Sequence, residues 1–212
     1  MLLYAITDRH QLPGEDKLAA VERFVEAAAR AEIDYIQLRE RDLSSRELEK
    51  LALRCAETVR RARDAGRPSK LLINSRCDVA IAYGADGVHL RSRASGEISA
   101  ADARAIFDKA GIAHPLIAVS CHSRDDVLLA ESEGADFAVF GPVFGKAALS
   151  GTGVEALRQV CLRKPGLMPV LALGGITLAN IRLCIDAGAA GIAAIRLFQE
   201  NPDAASQLRS SR

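Results

Sequence analysis

LLYAIT at residues 2–7 is a short apolar run that ends in a polar residue and is followed by a stretch with helical periodicity. The same unit recurs along the chain in the runs DYIQL (34–38), KLLI (70–73), ADGVHL (85–90), PLIAVS (115–120), DFAVF (136–140), PVLALGG (169–175) and GIAAI (191–195). Eight strand–helix units in 212 residues predict a (β/α)8 TIM barrel, with residues 1–212 forming a single domain. An open doubly wound sheet is the alternative. It is disfavoured because no GxGxxG follows the first strand.

Composition and charge argue against several classes of partner. The net charge is +1, from 28 basic and 27 acidic residues, so there is no electrostatic reason to expect nucleic acid or a membrane surface. No run reaches the ~18 apolar residues of a membrane span, and the N-terminal run is too short for a secretion signal. We therefore expect a cytoplasmic protein. The oligomeric state stays open and includes a homo-oligomer.

Residue counts also predict the character of the core. Aromatic residues make up only 4% of the chain and tryptophan is absent, so we expect a core of alanine, leucine, isoleucine and valine. The five cysteines are odd in number and contain no CxxC pair, which predicts buried apolar residues in a reducing compartment.

Cap and stop signals predict the helix boundaries. Ser44 followed by Glu47 has the spacing of a capping box, Ser99 and Ser123 precede further helices, and Thr177 is predicted to cap the seventh. The last helix is expected to begin near Phe198 and to fray before the C-terminus. Three glycines stop a helix and lead directly into a strand, in the repeats GAD (84–86), GAD (134–136) and GAA (188–190).

Polar residues follow the predicted strands at their carboxyl ends, where barrels of this kind hold their active sites. Because side chains alternate along a strand, Gln37 and Arg39 share one side of the second strand, and Ser120 and His122 share one side of the fifth. The other candidates at these ends are Asp8, Asn74, His89 and Arg91.

A glycine turn near the end of the chain suggests a phosphate site. Gly174 and Gly175 precede Thr177, so the backbone can approach an anion at a predicted helix N-terminus. Arg196, after the eighth strand, could add positive charge on the same rim. The four histidines show no HxH or HExxH spacing, and the sequence predicts no metal site.

Several candidates also have purely structural interpretations. His89 lies within a strand and is as readily a buried, hydrogen-bonded residue as a ligand contact. Arg39 could form an ion pair with Glu40 or Asp42. Four further polar residues are expected at the surface: His10, Asp78, Glu97 and His114.

Seven motifs, taken in order, resemble one family. They are LYAITD (3–8), IQLRER (36–41), LLINSRCDVA (71–80), GADGVHL (84–90), AVSCHS (118–123), GADFAVFGPVF (134–144) and LALGGIT (171–177). The series resembles the thiamine phosphate synthase / TenI family of (β/α)8 barrels over essentially the whole chain. The synthases join a pyrimidine diphosphate to a thiazole phosphate and release diphosphate with Mg²⁺.

The resemblance also implies roles for particular residues. Pyrimidine contacts fall on Gln37, Arg39 and Arg41, and the last of these is lysine in typical synthases. Further substrate contacts fall on Asn74 and Ser120, and we place His89 beside them. The thiazole phosphate is expected at Gly174 and Gly175, with Arg196 where the family has a phosphate-binding serine.

The chain departs from the synthase pattern where the metal binds. Ser75 stands in place of the first Mg²⁺ aspartate, Ala94 in place of the second, and the TxTK loop reads GKAALS (145–150). Mg²⁺ is usually held by one or two carboxylates beside substrate phosphates, so we expect no metal or other cofactor unless the synthase alternative holds. In that case Arg91 and Arg93 are candidates to replace the metal's charge.

Three hypotheses follow, each with a small thiazole-related phosphate as ligand. The first is a metal-independent, TenI-like thiazole tautomerase, in which His122 moves the proton, Arg39 grips a carboxylate and the loop 142–153 excludes water. The second is a thiamine phosphate synthase in which arginines replace the metal. The third is a non-catalytic regulator that binds a thiamine-related phosphate. A generic sugar-phosphate isomerase ranks below these because it does not explain the IQLRER and SCHS motifs.

Overall fold

The computed structural model describes residues 1–145, 151–162, 168–201 and 203–210. Its eight parallel strands pair in sequence order, and the last pairs with the first, so the sheet closes into a barrel. This confirms the predicted (β/α)8 architecture. The strands are β1 (Leu2–Ile6), β2 (Tyr35–Leu38), β3 (Lys70–Asn74), β4 (Gly87–Leu90), β5 (Leu116–Cys121), β6 (Phe137–Phe140), β7 (Val170–Leu173) and β8 (Gly191–Ala194).

Helices follow the strands and pack around the barrel. They are α1 (Lys17–Arg30), α2 (Ser45–Asp64), α3 (Cys77–Tyr83), α4 (Ala100–Lys109), α5 (Arg124–Ser132), α6 (Gly153–Cys161), α7 (Ile181–Asp186), α8 (Arg196–Glu200) and α9 (Ala204–Ser210). Two short 3-10 turns lie at Arg9–Gln11 and Arg93–Ser95. Among the described residues, none of the helices combines the length and the apolar character that crossing a membrane requires.

Side-chain caps begin three of the helices as predicted. Ser44, Ser99 and Ser123 each form a capping box with the residue three positions later. The predicted glycine stops at 84, 134 and 188 all adopt positive φ, which glycine tolerates without strain.

Two predictions near the C-terminus are wrong. Thr177 does not cap α7, because a turn over residues 178–180 intervenes and the helix begins only at Ile181. A helix does begin near Phe198, at Arg196, but the end of the chain forms two helices rather than the single one expected. Asn201 separates them in an extended conformation, as expected for a residue before proline. The predicted fraying before Arg212 lies outside the described residues.

Alternation along the strands separates two cores. Outward-facing residues such as Ile36 and Ile73 pack against the helices, whereas inward-facing ones such as Tyr4 and Leu72 fill the barrel. The expectation of a purely aliphatic core is wrong for the barrel interior. There, Tyr4, Tyr35 and Phe137 form one aromatic cluster, with ring centroids 4.8–5.9 Å apart. Three of the nine aromatic residues thus fill the barrel interior, whereas others, such as Phe107 and Phe140, lie in the core between the strands and the helices.

Three aspartates close the amino-terminal end of the barrel in the same way. Asp34, Asp86 and Asp136 directly precede β2, β4 and β6. Each carboxylate accepts a hydrogen bond from a backbone N–H of the preceding strand, at Leu3 (2.7 Å), Leu71 (2.9 Å) and Ile117 (2.7 Å). Each also pairs with an arginine: Arg209, Arg63 and Arg104 respectively. Charge-assisted bonds of this kind tie strand to strand and strand to helix.

The stability of the barrel should depend on these aspartates. We expect Asp86→Ala to lower the free energy of unfolding by ~1–3 kcal/mol, because it leaves a strand N–H and Arg63 without their acceptor. Urea unfolding followed by circular dichroism measures this. Asp78→Ala is the control, since that carboxylate is 66% exposed, pairs with Arg76 and binds no strand N–H in the described part of the chain, so its loss should change the free energy by less than ~0.5 kcal/mol. Equal losses in the two variants would contradict the proposed strand anchoring.

Candidate active site at the carboxyl ends of the strands

A polar layer lies across β2 to β5 at the carboxyl end of the barrel interior. Gln37 Nε2 donates to Asn74 Oδ1 at 3.0 Å, and the side chains of His89 and Ser120 meet at 2.9 Å. The strand register places Asn74 directly opposite His89. The structure thus brings these four predicted residues together. Their role in ligand binding stays a prediction.

Gln37 leaves one polar atom unused in this layer. The residue is 2% exposed, and its Oε1 is buried without a hydrogen-bond partner among the described residues. A buried acceptor without a donor is costly, so this position favours a ligand that brings an N–H or O–H group.

A chain of hydrogen bonds from the barrel interior, through Tyr4 and His89, holds the Ser120 side chain. His89 is 3% exposed, and its Nδ1 lies 2.9 Å from the Tyr4 hydroxyl. Burial, with a smaller effect of Arg39, lowers the pKa of His89 to about 3, so the imidazole is neutral at physiological pH. One assignment gives the hydrogens of both buried side chains an acceptor: the Tyr4 hydroxyl donates to His89 Nδ1, and His89 Nε2–H donates to the Ser120 oxygen. The Ser120 hydroxyl proton is then free to point into the mouth.

Arg39 does not form the ion pair that its sequence neighbours suggested. Glu40 instead accepts hydrogen bonds from the Thr7 hydroxyl at 2.7 Å and from the backbone and side chain of Arg9. Arg9 also holds Asp42 through two guanidinium nitrogens. The carboxylates beside Arg39 are thereby engaged by a residue of the first loop.

Two guanidinium groups are left without acceptors at this side of the mouth. Among the described residues, the side chains of Arg39 and Arg41 have no hydrogen bond or ion pair. Burial and the nearby charge of Arg41 lower the pKa of Arg39, whose guanidinium nonetheless stays charged. Both arginines line a cavity of about 380 Å³, together with Asp8, His10, Glu40 and Asp42. An anion placed there would relieve the repulsion between the two cations.

Glu97 is not the surface carboxylate that the sequence suggested. Its side chain is only 10% exposed, and it accepts a hydrogen bond from the Ser75 hydroxyl at 2.5 Å and from Arg91 Nε at 3.4 Å. The loop after β4 turns back toward the end of β3 and carries Glu97 with it. The companion prediction for Asp78 is confirmed, since that side chain is 66% exposed.

Arg91 and Arg93 both line a small cavity beside Ser120, but they differ in their other contacts. Arg91 lines a cavity of about 290 Å³ with Arg41, Asn74 and Ser75. Arg93 donates to the backbone carbonyl of Glu97 and lies 3.8 Å from Glu133, a residue at the end of α5. Only Arg91 therefore joins the residues at the ends of β2 and β3.

The glycine turn after β7 lies on the other side of the mouth. Gly174 and Gly175 have φ values of 101° and 63°, and a Cβ on either would come within 3 Å of the loop after β6. Close packing against this loop therefore requires glycine at both positions, whether or not a phosphate also binds there. They line a cavity of about 300 Å³ with Thr177, Ile195 and Arg196.

The helix N-terminus expected behind this turn is absent. The Thr177 N–H donates to Asn180 Oδ1 at 2.8 Å, and Asn180 Nδ2 donates to the Gly175 carbonyl at 2.9 Å. Asn180 thus closes the turn on itself, and α7 begins only after it. Charge from Arg196 and backbone N–H groups of the glycine turn remain the features that suit a phosphate at this cavity.

His122 lies at the ends of β5 and β6. Its Nδ1–H donates to the Gly141 carbonyl at 2.5 Å, and its backbone N–H donates to Asp126 at 2.8 Å. The first bond fixes the tautomer, so Nε2 carries the lone pair that a general base requires. His10 is 65% exposed, and its ring lies 3.1 Å from Asp42.

Comparison with known proteins identifies the family. A family model described as thiamine monophosphate synthase matches residues 3–198. This chain belongs to the thiamine monophosphate synthase family. It is therefore an enzyme of thiamine biosynthesis, as the order of motifs indicated.

Relatives of this family member carry synthase names. The chain is 42% identical over 211 residues to a Geobacter sulfurreducens protein named "Putative thiamine-phosphate synthase", which covers 98% of this chain and 91% of that one. It is 34% identical to the thiamine-phosphate synthase of Caldanaerobacter subterraneus, over 91% of this chain and 84% of that one. Among solved structures, thiamine phosphate pyrophosphorylase from Pyrococcus furiosus matches with a TM-score of 0.80 and 29% identity, over 99% and 94% of the two chains.

The residues of this family member do not fit a magnesium site. The described residues contain no group of three or more potential metal-binding His, Cys, Asp or Glu side chains. Ser75 and Glu97 offer one carboxylate and one hydroxyl, and these already bind one another. The carboxylate also faces the Arg91 guanidinium, which would repel a divalent cation.

Sequence analysis missed three residues that shape this site of the synthase-family protein. Tyr4 and Arg9 act through long-range contacts to His89 and Glu40, 85 and 31 positions away in the chain. Glu97 follows a loop whose path no periodicity predicts. Only Tyr4 could have been found from the sequence, because the alternation of side chains along the first strand places it among the residues that face the barrel interior.

The buried, neutral His89 should make folding stability depend on pH. The unfolded imidazole takes up a proton below about pH 6.5, whereas the folded one does so only near its lowered pKa of about 3. Stability is thus lost as pH falls below about 6.5, by up to ~1.4 kcal/mol per pH unit from this residue. Urea unfolding between pH 5 and pH 7.5 measures the slope. His89→Gln, which lacks the titrating group, should give a shallower slope, and parallel curves would contradict this assignment.

Proposed function

We propose that this protein condenses a pyrimidine diphosphate with a thiazole phosphate, as thiamine-phosphate synthases do. The observation that carries this is the presence of two anion-receptive regions at one barrel mouth. One comprises Arg39, Arg41 and Arg91 at the ends of β2 to β4. The other comprises the glycine turn and Arg196 at the ends of β7 and β8.

The ring of strands sets these two regions apart. In a closed barrel of eight strands, β3 and β4 lie across from β7 and β8. Two phosphorylated substrates can therefore enter with their charged groups on opposite sides and their reacting ends toward the centre. A tautomerase has one phosphorylated substrate and would use the other region only for its ring carboxylate.

The polar layer between the two regions suits a heterocycle. The unpartnered Gln37 oxygen accepts from an amino group or ring N–H, and the free Ser120 hydroxyl donates to an oxygen. The arginines stabilise the negative charge that develops on the departing diphosphate, which is a leading contribution to catalysis. The names of the relatives support this reaction over the tautomerase that the missing aspartates first suggested.

Mixing the protein with both substrates tests the condensation. We expect thiamine phosphate and diphosphate to form in equal amounts, as measured by chromatography and a coupled diphosphate assay. Arg39→Gln should lower kcat/KM by ~10²-fold, because a charge that stabilises the leaving group is lost. Arg54→Gln removes a 60% exposed arginine of α2 that pairs with Glu22 and should leave the rate unchanged. Absence of thiamine phosphate both with Mg²⁺ and with EDTA would exclude the synthase function.

A thiazole tautomerase is the second candidate, and His122 is the observation that favours it. Its Nδ1–H is held by the Gly141 carbonyl, so Nε2 is left to accept a proton from a bound ring. Arg39 would then hold the ring carboxylate by two parallel hydrogen bonds.

The rate of tautomer conversion, followed by NMR, tests this second function. We expect His122→Ala to slow conversion by ~10²–10⁴-fold, the usual contribution of a positioned general base. His114→Ala is the control because that histidine lies in an exposed loop. Equal rates for wild type and His122→Ala would remove this histidine from the mechanism.

A further inference from the structure

We propose that Arg91, held in place by Glu97, forms a metal-free binding site for the diphosphate group of the pyrimidine substrate. The inference rests on the proposed condensation and names the group that neutralises its leaving group. Glu97 is a positioning residue in this arrangement, because it acts through Arg91 rather than on the substrate.

Glu97 anchors one edge of the Arg91 guanidinium. The carboxylate oxygen Oε2 lies 3.4 Å from Arg91 Nε and 3.5 Å from the Arg91 backbone nitrogen. The terminal nitrogens of Arg91 have no partner among the described residues. A guanidinium held at Nε keeps its two terminal nitrogens available for a bidentate contact with phosphate oxygens.

Ser75 fixes the carboxylate from the other side. Its hydroxyl donates to Glu97 Oε2 at 2.5 Å, and its backbone N–H donates to the His89 carbonyl at 3.0 Å. Ser75 adopts a φ of 57°, a conformation that non-glycine residues rarely take and that persists only when the surroundings hold it. The end of β3 and the loop after β4 are thereby joined through one carboxylate.

The cavity beside this carboxylate carries an excess of positive charge. Arg41, Arg76 and Arg91 line it, and Glu40 is its only acidic lining residue among those described. Asp78, outside the lining, engages the Arg76 guanidinium, so the charge without a partner comes from Arg41 and the terminal nitrogens of Arg91. The Glu40 carboxylate is turned to Thr7 and Arg9. A diphosphate compensates this charge directly, and a divalent cation would add to it.

Arg93 supplies a matched comparison. Its side chain is 46% exposed against 51% for Arg91, and each arginine has one nearby glutamate. Arg93 pairs with Glu133 and does not line the cavity of Arg41 and Ser75. The two arginines carry the same charge at similar exposure, and they differ in which glutamate and which cavity they meet.

Calorimetric titration with inorganic diphosphate tests the site without any turnover. We expect the wild-type protein to bind diphosphate in EDTA and to bind it no more tightly when Mg²⁺ is added, because the cation complexes diphosphate and adds to the positive charge of the site. Arg91→Gln should weaken binding at least tenfold, and Arg93→Gln by less than twofold. Binding that needs Mg²⁺, or equal losses in the two arginine variants, would overturn the proposal.

Glu97→Asp isolates the positioning role. It keeps the charge but withdraws the carboxylate by one methylene, so Ser75 and Arg91 can no longer both be reached. We expect at least a fivefold loss in diphosphate affinity, with unchanged binding of inorganic phosphate at the glycine turn and an unchanged melting temperature. Unaltered diphosphate affinity would remove Glu97 from the site.

The outcomes separate this inference from the proposed function. Metal-free diphosphate binding with the expected variant pattern, but no condensation, would leave the site standing and reject the synthase reaction. Condensation together with Mg²⁺-dependent diphosphate binding would confirm the synthase reaction and reject the metal-free diphosphate site.

Discussion

Closure of the parallel sheet is the constraint on which the rest of the structure depends. It brings the carboxyl ends of all eight strands into one ring, and the alternation of side chains decides which residues face its centre. Gln37, Asn74, His89 and Ser120 meet for this reason, although 83 residues of sequence separate the first from the last. At the opposite end, Asp34, Asp86 and Asp136 hold the ring closed by binding backbone N–H groups of neighbouring strands. The strand-anchoring aspartates and the candidate active site thus lie at opposite ends of the same barrel.

Electrostatics at the mouth is governed by which carboxylates are already engaged. Arg9 takes both Glu40 and Asp42, so Arg39 and Arg41 keep their charge without a partner in the described residues. Across β3 and β4, Glu97 holds Arg91 at the place where the family resemblance led us to look for a metal ligand. A fixed guanidinium and a bound cation both supply positive charge to phosphates, and the guanidinium needs no carboxylate ligands. In the proposed function, this guanidinium supplies the positive charge that an aspartate-bound cation would otherwise supply.

Much of this could be predicted from the sequence, and the failures have identifiable physical causes. Strand positions followed from apolar runs, and the capping boxes of Ser44, Ser99 and Ser123 followed from local spacing, because both are short-range effects. Thr177 failed as a cap because Asn180, three residues on, bonds back to it. The prediction that Glu97 lies at the surface was wrong because the path of a loop, which the sequence pattern does not specify, buries its side chain. The aromatic cluster in the barrel interior was not predicted because composition gives the number of aromatic residues but not which of them contact one another.

The sequence by itself determined the barrel, the family and the set of polar residues at the strand ends, since each is encoded in periodicity, glycine placement and ordered motifs. Only the tertiary structure decided which charges are paired. The Arg39 side chain has no ion pair among the described residues because Arg9, from a different loop, binds Glu40 and Asp42. The relay from Tyr4 through His89 to Ser120 likewise joins the first strand to β4 and β5, and Tyr4 and His89 are 85 positions apart in the chain. Pairing depends on distances between side chains brought together by folding, and no local pattern of residues specifies those distances.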